Sequence, residues 1–268
     1  MGRGNLLNMR HGGKALFNGV VFESTDVKAK AIRKKGKIIT SHNIGHRKYE
    51  YTENTRFSIN DFLERVPFIR GAWFALKVIA SAWKMFIVLF ISLMSYTFLF
   101  SQGNTEGAND ININFDYFFI GIWVAVFLTF HITQIGKYHA AEHMTSNCYL
   151  SGKSLTVENV RSQSRIHRAC GTNLVIFVSL VGLVLSIIPF TRNWNDFLIL
   201  LLTWSIAFEL FVIEDKRVKR ILEPFYKVGS FAQYVFFTSK PKDEHLEVAI
   251  ESFKTMIKYQ KELDEMGV

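Results

Sequence analysis

Proline and cysteine are scarce in this chain, and acidic residues are outnumbered by basic ones. Among 268 residues there are 4 Pro and 2 Cys. So few prolines leave the long apolar stretches free to be helical. Two cysteines cannot form a disulfide framework, and Cys148 and Cys170 read instead as reduced thiols, one a candidate metal ligand. The first 70 residues lack the apolar segment of a secretory leader, so no cleaved leader is expected. No internal repeat, low-complexity linker or nucleic-acid recognition motif is present, which removes nucleic acid from the expected partners despite a net charge of +9.

Apolar residues are abundant: 49% of the chain is hydrophobic, with 25 Phe. They gather in FIVLFISLMSYTFLF (86–100), FFIGIWVAVFLTF (118–130), LVIFVSLVGLVLSIIPF (174–190) and FLILLLTWSIAF (197–208). With their flanks these runs approach the roughly 20 residues that a helix needs to cross a bilayer, and polar positions barely interrupt them. The expectation is a mainly α membrane protein with four transmembrane helices, the first beginning near Ala75; the alternative is four wholly buried helices. Of 32 basic residues, 14 lie in 1–72, five in 136–172 and ten in the tail from Lys216 onward, while 101–114 carries none. By this distribution both termini and the central loop are expected on the cytoplasmic side. The lipid bilayer, its anionic head groups and a membrane protein partner are the expected partners.

Four segments follow: a β-rich cytoplasmic N-terminal region (1–58), an interfacial amphipathic segment leading into the first span (59–84), a four-helix transmembrane region (85–214) with a cytoplasmic loop (136–172), and a cytoplasmic amphipathic helical tail (215–268). In the first, KKGK predicts a hairpin turn with Gly36 at positive φ. Pro67 and Gly71 are expected to set an angle before the first span. The second span is expected to run on as one helix through KYHAAEHMTSNCYL until Gly152 ends it. A short helix is predicted at TVENVRSQSR with Thr156 as N-cap. Leu246, Ile250, Phe253 and Ile257 form a stripe at helical spacing, predicted to pack on the N-terminal region.

KYHAAEH (137–143) puts His139 and His143 on one helix face with Glu142 beside them. H-x-x-E-H is the inverted zincin pattern, in which two imidazoles bind zinc and the glutamate deprotonates a bound water. His167 and Cys170, at the far end of the same loop, supply a second pair of donors. If all four bind, the shell is closed and the zinc structural; if three bind, the open position makes Glu142 a general base. The bland alternative is ordinary interfacial histidines and a packed thiol.

GGKALFNGV (12–20), RVPFIRG (65–71), KYHAAEH, LTVENVRSQSRIHRACGT (155–172) and FFTSKPKDEHLEVAI (236–250) together resemble the YqhQ-like family. The resemblance implies a multi-pass protein of the bacterial inner membrane with a candidate metal site, and it supplies no reaction. Departures from the family pattern are Arg168 in place of a proline, Leu150 in place of a glutamate, and Lys14 and Asn18 in the N-terminal block. His139, Glu142, His143, His167 and Cys170 all match.

Two further polar residues fall directly at the ends of apolar runs. His131, near the end of the second, is eleven residues before Glu142 and shares its helix face. Glu209, in AFELFVIEDKR, is expected to pair with His131, Arg161 or Arg165, or to complete a metal shell. The functional expectation is an integral membrane zinc-dependent hydrolase acting at the cytoplasmic face, with Glu142 catalytic. The alternative is a non-catalytic scaffold or accessory subunit with a structural zinc.

Overall fold

The computed structural model describes residues 9, 11–45, 62–63, 65–81, 83–101, 115–191 and 194–266. Expectations for 1–8, 10, 46–61 and the loop 102–114 fall outside these residues.

Four strands form an antiparallel meander in the order β1-β2-β3-β4: β1 (Gly12–Leu16), β2 (Gly19–Glu23), β3 (Val27–Lys34) and β4 (Lys37–Ile44). The alternation in VKAKAIRK explains the sheet's two faces. Val27, Ala29 and Ala31 are buried beside Val20 and Phe22, whereas Lys28 and Lys30 point to solvent. The β3–β4 turn has Lys35 at φ 50° and Gly36 at φ 78°, the two positive values that a two-residue hairpin of matching twist requires.

The helices are α1 (Ile69–Ser81), α2 (Trp83–Ser101), α3 (Phe115–Ile132), α4 (Ile135–Leu150), α5 (Val157–Arg161), α6 (Gly171–Ile187), α7 (Asp196–Val212), α8 (Lys216–Ile221), α9 (Glu223–Ala232) and α10 (Asp243–Met266). A 3-10 turn spans Pro189–Thr191 and a π turn Gln233–Phe237. The chain divides into two units: 1–55, 127–173 and 224–268 form the first, and 56–126 with 174–223 the second.

In the first unit α10 lies on the sheet, as its apolar stripe predicts. Leu246, Ile250 and Phe253 are buried, and Phe253 meets Phe22 edge-to-face at 4.7 Å. Polar anchors fix the register of helix on sheet. Ser252 donates to the Ala29 carbonyl at 3.1 Å, and Gln260 accepts from the Ser24 hydroxyl at 2.8 Å. Thr156 caps α5 by accepting from the Asn159 amide, and Gly152 follows α4 at φ 69°.

In the second unit α1 packs on α7. A Cβ at Gly71 would stand 2.8 Å from the Ser205 Cα, so glycine permits the close approach of these helices. Arg70 clamps Glu209 with two bonds, Nε–Oε1 at 2.8 Å and Nη2–Oε2 at 2.6 Å, and the Phe68 amide adds a third at 2.9 Å.

The expected transmembrane architecture is not borne out. Among the described residues no helix is long and apolar enough to cross a membrane. This overturns the four-span fold class and the multi-pass inner-membrane localisation. The apolar runs occupy helices of 19, 18, 17 and 17 residues. At about 1.5 Å per residue these measure roughly 26–28 Å, short of a hydrocarbon core of about 30 Å. Flanks that sequence reading added to the runs belong elsewhere: a break at Thr133–Gln134 cuts α3 from KYHAAEH, so the second run does not continue as one helix. The correction concerns span length rather than apolarity, for Phe90, Leu183 and Phe197 stay more than half exposed.

The Arg70 hydrogen bond holds the Glu209 carboxyl below its ordinary value of 4.5. A carboxylate with a depressed folded-state pKa contributes stability above its unfolded value and loses it as pH falls through the folded one. Glu209→Gln should therefore destabilise the protein by about 1–3 kcal/mol at neutral pH. The deficit should shrink as pH drops below 4.5, measured as denaturant midpoints of both proteins at neutral and acid pH.

Candidate metal centre

α4 carries the site, and it is buried on nearly every side, from Gly136 through Tyr149. Its start depends on Gly136, where a Cβ would stand 2.2 Å from the Phe130 carbonyl oxygen. The Gly136 carbonyl accepts from the Ser239 amide at 3.0 Å, which ties the helix start to the segment after the π turn. Gln134, just before the helix, accepts from His245 Nε2 at 2.9 Å, while His245 Nδ1 accepts from the Lys242 amide.

A buried helix must find a partner for each polar side chain it presents. His139 Nδ1–H donates to the Phe237 carbonyl and His143 Nδ1–H to the Arg165 carbonyl, each at 2.8 Å. A carbonyl only accepts, so both imidazoles carry their proton on Nδ1 and a lone pair on Nε2. Those lone pairs face the Cys170 thiol, with His139 Nε2 at 3.7 Å from Sγ. Donor atoms of His139, His143 and Cys170 all lie within 4.8 Å of one another. Two ligands of a tetrahedral zinc, one nitrogen and one sulfur, stand about 3.5 Å apart. The observed spacing therefore needs a contraction of about 1 Å at its widest to fit one ion.

Burial sets the protonation of these groups. It pushes His139 down, and His143 well below 6.5 with help from the neighbouring His139. Burial raises the Cys170 thiol and lifts the Glu142 carboxyl to about 8. Glu142 Oε2 lies 3.5 Å from His143 Nε2, a contact between two groups that burial keeps uncharged. Its other side is closed by β1: a Cβ at Gly13 would overlap the Glu142 carboxyl at 2.0 Å from Oε1.

His167 does not join the three donors. It stacks on His143 with ring centroids 5.6 Å apart, and its Nε2 meets the Ser146 hydroxyl at 3.2 Å. That hydroxyl also contacts His11 Nε2 at 2.7 Å, and His11 Nδ1–H donates to the Met9 carbonyl at 3.1 Å. The tautomers follow: Ser146 donates to His11 and accepts from His167. Burial, then His11, lowers His167 to about 4.

The turn carrying His167 and Cys170 is held by two buried amides. Gln233 accepts from the His167 amide at 2.9 Å, and Asn173 donates to the Arg168 carbonyl at 2.8 Å. The π turn thus serves two parts of the centre, since Phe237 at its other end fixes His139. Of the remaining candidates, His131 is exposed and stacks on Phe127. Glu209 lies in the second unit, engaged by Arg70 rather than by His131, Arg161 or Arg165. Sequence reading missed His11, Ser146 and Gln233. Ser146 was legible, because 139, 143 and 146 follow the i, i+4, i+7 spacing of one helix face; His11 and Gln233 reach the site from distant segments.

A match to known families covers residues 32–259 and carries the description "Protein of unknown function (DUF1385)". The chain belongs to this family. It is also 35% identical over 136 residues to the Uncharacterized protein YqhQ of Bacillus subtilis (strain 168). That similarity spans 48% of this chain and 42% of the relative, so less than half of each is aligned. No solved structure matches. The YqhQ-like resemblance read from the sequence blocks is thereby supported at the level of family.

Gly13→Ala should displace the Glu142 carboxyl and cost about 1–3 kcal/mol. A thermal or denaturant melt checks the loss, and the deficit should vanish in a Gly13→Ala, Glu142→Ala double variant, in which the colliding side chain is gone.

Proposed function

We propose that this protein is a metal-dependent hydrolase, with His139, His143 and Cys170 holding a zinc ion and Glu142 as general base. The observation that carries the reading is the pair of Nδ1–H bonds to the Phe237 and Arg165 carbonyls. Metal-binding histidines are oriented in this way, with the second ring nitrogen donating to a carbonyl or carboxylate. Two imidazoles and a thiolate suit zinc.

A divalent cation held there supplies a Lewis acid for water and for a scissile carbonyl or phosphoryl group. The residues do the rest. His139 and His143 stay neutral at pH 7 because burial disfavours their cations. The Cys170 thiol, raised by burial, would lose its proton on binding a cation. Burial raises the Glu142 carboxyl; beside a bound cation its ionised form would be favoured, and it would then be placed to accept a proton from water. His139, His143 and Cys170 would hold the ion, and a site of three protein donors would stay open to water.

A second reading rests on the 5.6 Å stacking of His167 on His143: His167 turns in as the fourth ligand, the shell closes, and the zinc is structural in a scaffold. Metal content separates the two. Cys170→Ala and His143→Ala should each lose zinc, whereas His167→Ala should keep about one zinc per chain for the open site and lose it for the closed one. Zinc uptake by the metal-free protein near pH 7 should release about two protons, from Cys170 and Glu142, and about one in Cys170→Ser at a lowered affinity. Glu142→Gln should retain the metal and lose hydrolysis of an activated ester by about a hundredfold or more.

A further inference from the structure

We infer that His11 and Ser146 are positioning residues for the metal centre: together they fix the ring hydrogen of His167 on Nε2 and hold that ring outside the coordination shell. The inference rests on the metal reading above, and it selects the open site of three donors over the closed one.

Ser146 lies on the same face of α4 as His139 and His143. A helical serine or threonine ordinarily returns its hydroxyl hydrogen to the carbonyl four residues back, as Thr145 does to Ala141 at 2.8 Å. Ser146 is placed instead between two imidazoles, 2.7 Å from His11 Nε2 and 3.2 Å from His167 Nε2. A hydroxyl has a single hydrogen to give, and His11 decides where it goes. The Met9 carbonyl takes the His11 Nδ1–H, which leaves the Nε2 of a neutral His11 as the acceptor for Ser146. Burial lowers the His11 pKa from its ordinary 6.5, so the ring is neutral at pH 7. Phe253 at 4.9 Å and Tyr149 at 5.6 Å pack edge-to-face on that ring and keep it in place. Ser146 then has only lone pairs to offer His167, whose Nε2 must be the donor.

A ring nitrogen that carries hydrogen has no lone pair for a cation. The His167 backbone is pinned separately: Gln233 accepts from its amide at 2.9 Å, and the Cys170 amide and Asn173 Nδ2 donate to its carbonyl at 3.2 and 3.3 Å. Rotation of the ring is the freedom that remains, and the Ser146 contact restrains it. His143, 5.6 Å away in the stack, gives its Nδ1–H to a carbonyl and keeps Nε2 bare. Two stacked histidines are thus set in opposite tautomers, one able to bind a cation through Nε2 and the other not.

The tautomer is read in the metal-free protein by heteronuclear NMR of the ring nitrogens. Wild-type His167 should carry its hydrogen on Nε2. His11→Phe keeps a ring against Phe253 but removes the acceptor, so Ser146 turns to donate to His167. The His167 hydrogen should then shift to Nδ1, with circular dichroism unchanged. The second readout is cobalt(II) added in place of zinc, whose visible bands respond to azide when a coordination position is open. The wild type should respond. Ser146→Ala should lose the response as His167 closes the shell, and Ser146→Ala combined with His167→Ala should regain it, a rescue that a merely structural role would not give. The inference alone is overturned by a wild-type His167 hydrogen on Nδ1, by a tautomer unchanged in His11→Phe, by a cobalt-loaded wild type blind to azide, or by a Ser146→Ala protein that responds as the wild type does. A wild type that takes up no cobalt would overturn the metal reading, and the inference with it.

Discussion

Two backbone carbonyls decide what α4 can bind. The oxygens of Phe237 and Arg165 accept the Nδ1 protons of His139 and His143, and so both Nε2 lone pairs converge beside the Cys170 thiol. Without those acceptors a buried imidazole could flip or change tautomer. With them, the orientation and tautomer of both rings are fixed by the backbone.

Burial also explains the unusual state of Glu142. Burial between β1 and α4 pushes the Glu142 carboxyl up to about 8. Gly13 lets the strand pass within contact distance of that carboxyl. The glutamate is held in place by packing, and its charge is controlled by what sits among its neighbours.

Much of the first unit was legible in the sequence, and the larger architecture was not. The hairpin at Gly36, the Thr156 cap, the end of α4 at Gly152 and the stripe on α10 follow from local rules, in which neighbours in sequence are neighbours in space. KYHAAEH likewise shows its donors through helical spacing. Apolar runs misled because hydropathy counts residues without showing where a helix breaks. The break at Thr133–Gln134 depends on the close approach of Gly136 to Phe130 and on the Ser239 contact, which no window on the sequence reports. His167 shows the same limit. Its spacing to Cys170 is that of a ligand pair, while in the fold its ring meets Ser146, a hydroxyl that His11 reaches from just before β1.

The first unit is assembled from three separated stretches, 1–55, 127–173 and 224–268. Ser24 bonds to Gln260 across 236 positions, and the two anchors of the centre, Gln233 and Phe237, come from the last of the three stretches. On a ribosome the sheet and α4 therefore emerge well before the elements that complete them. Contacts of such sequence separation form slowly, and the early strands wait with an unpaired edge and an uncovered face. The order of synthesis thus leaves the nascent N-terminal sheet open to aggregation, the hazard from which chaperones shield unfinished chains.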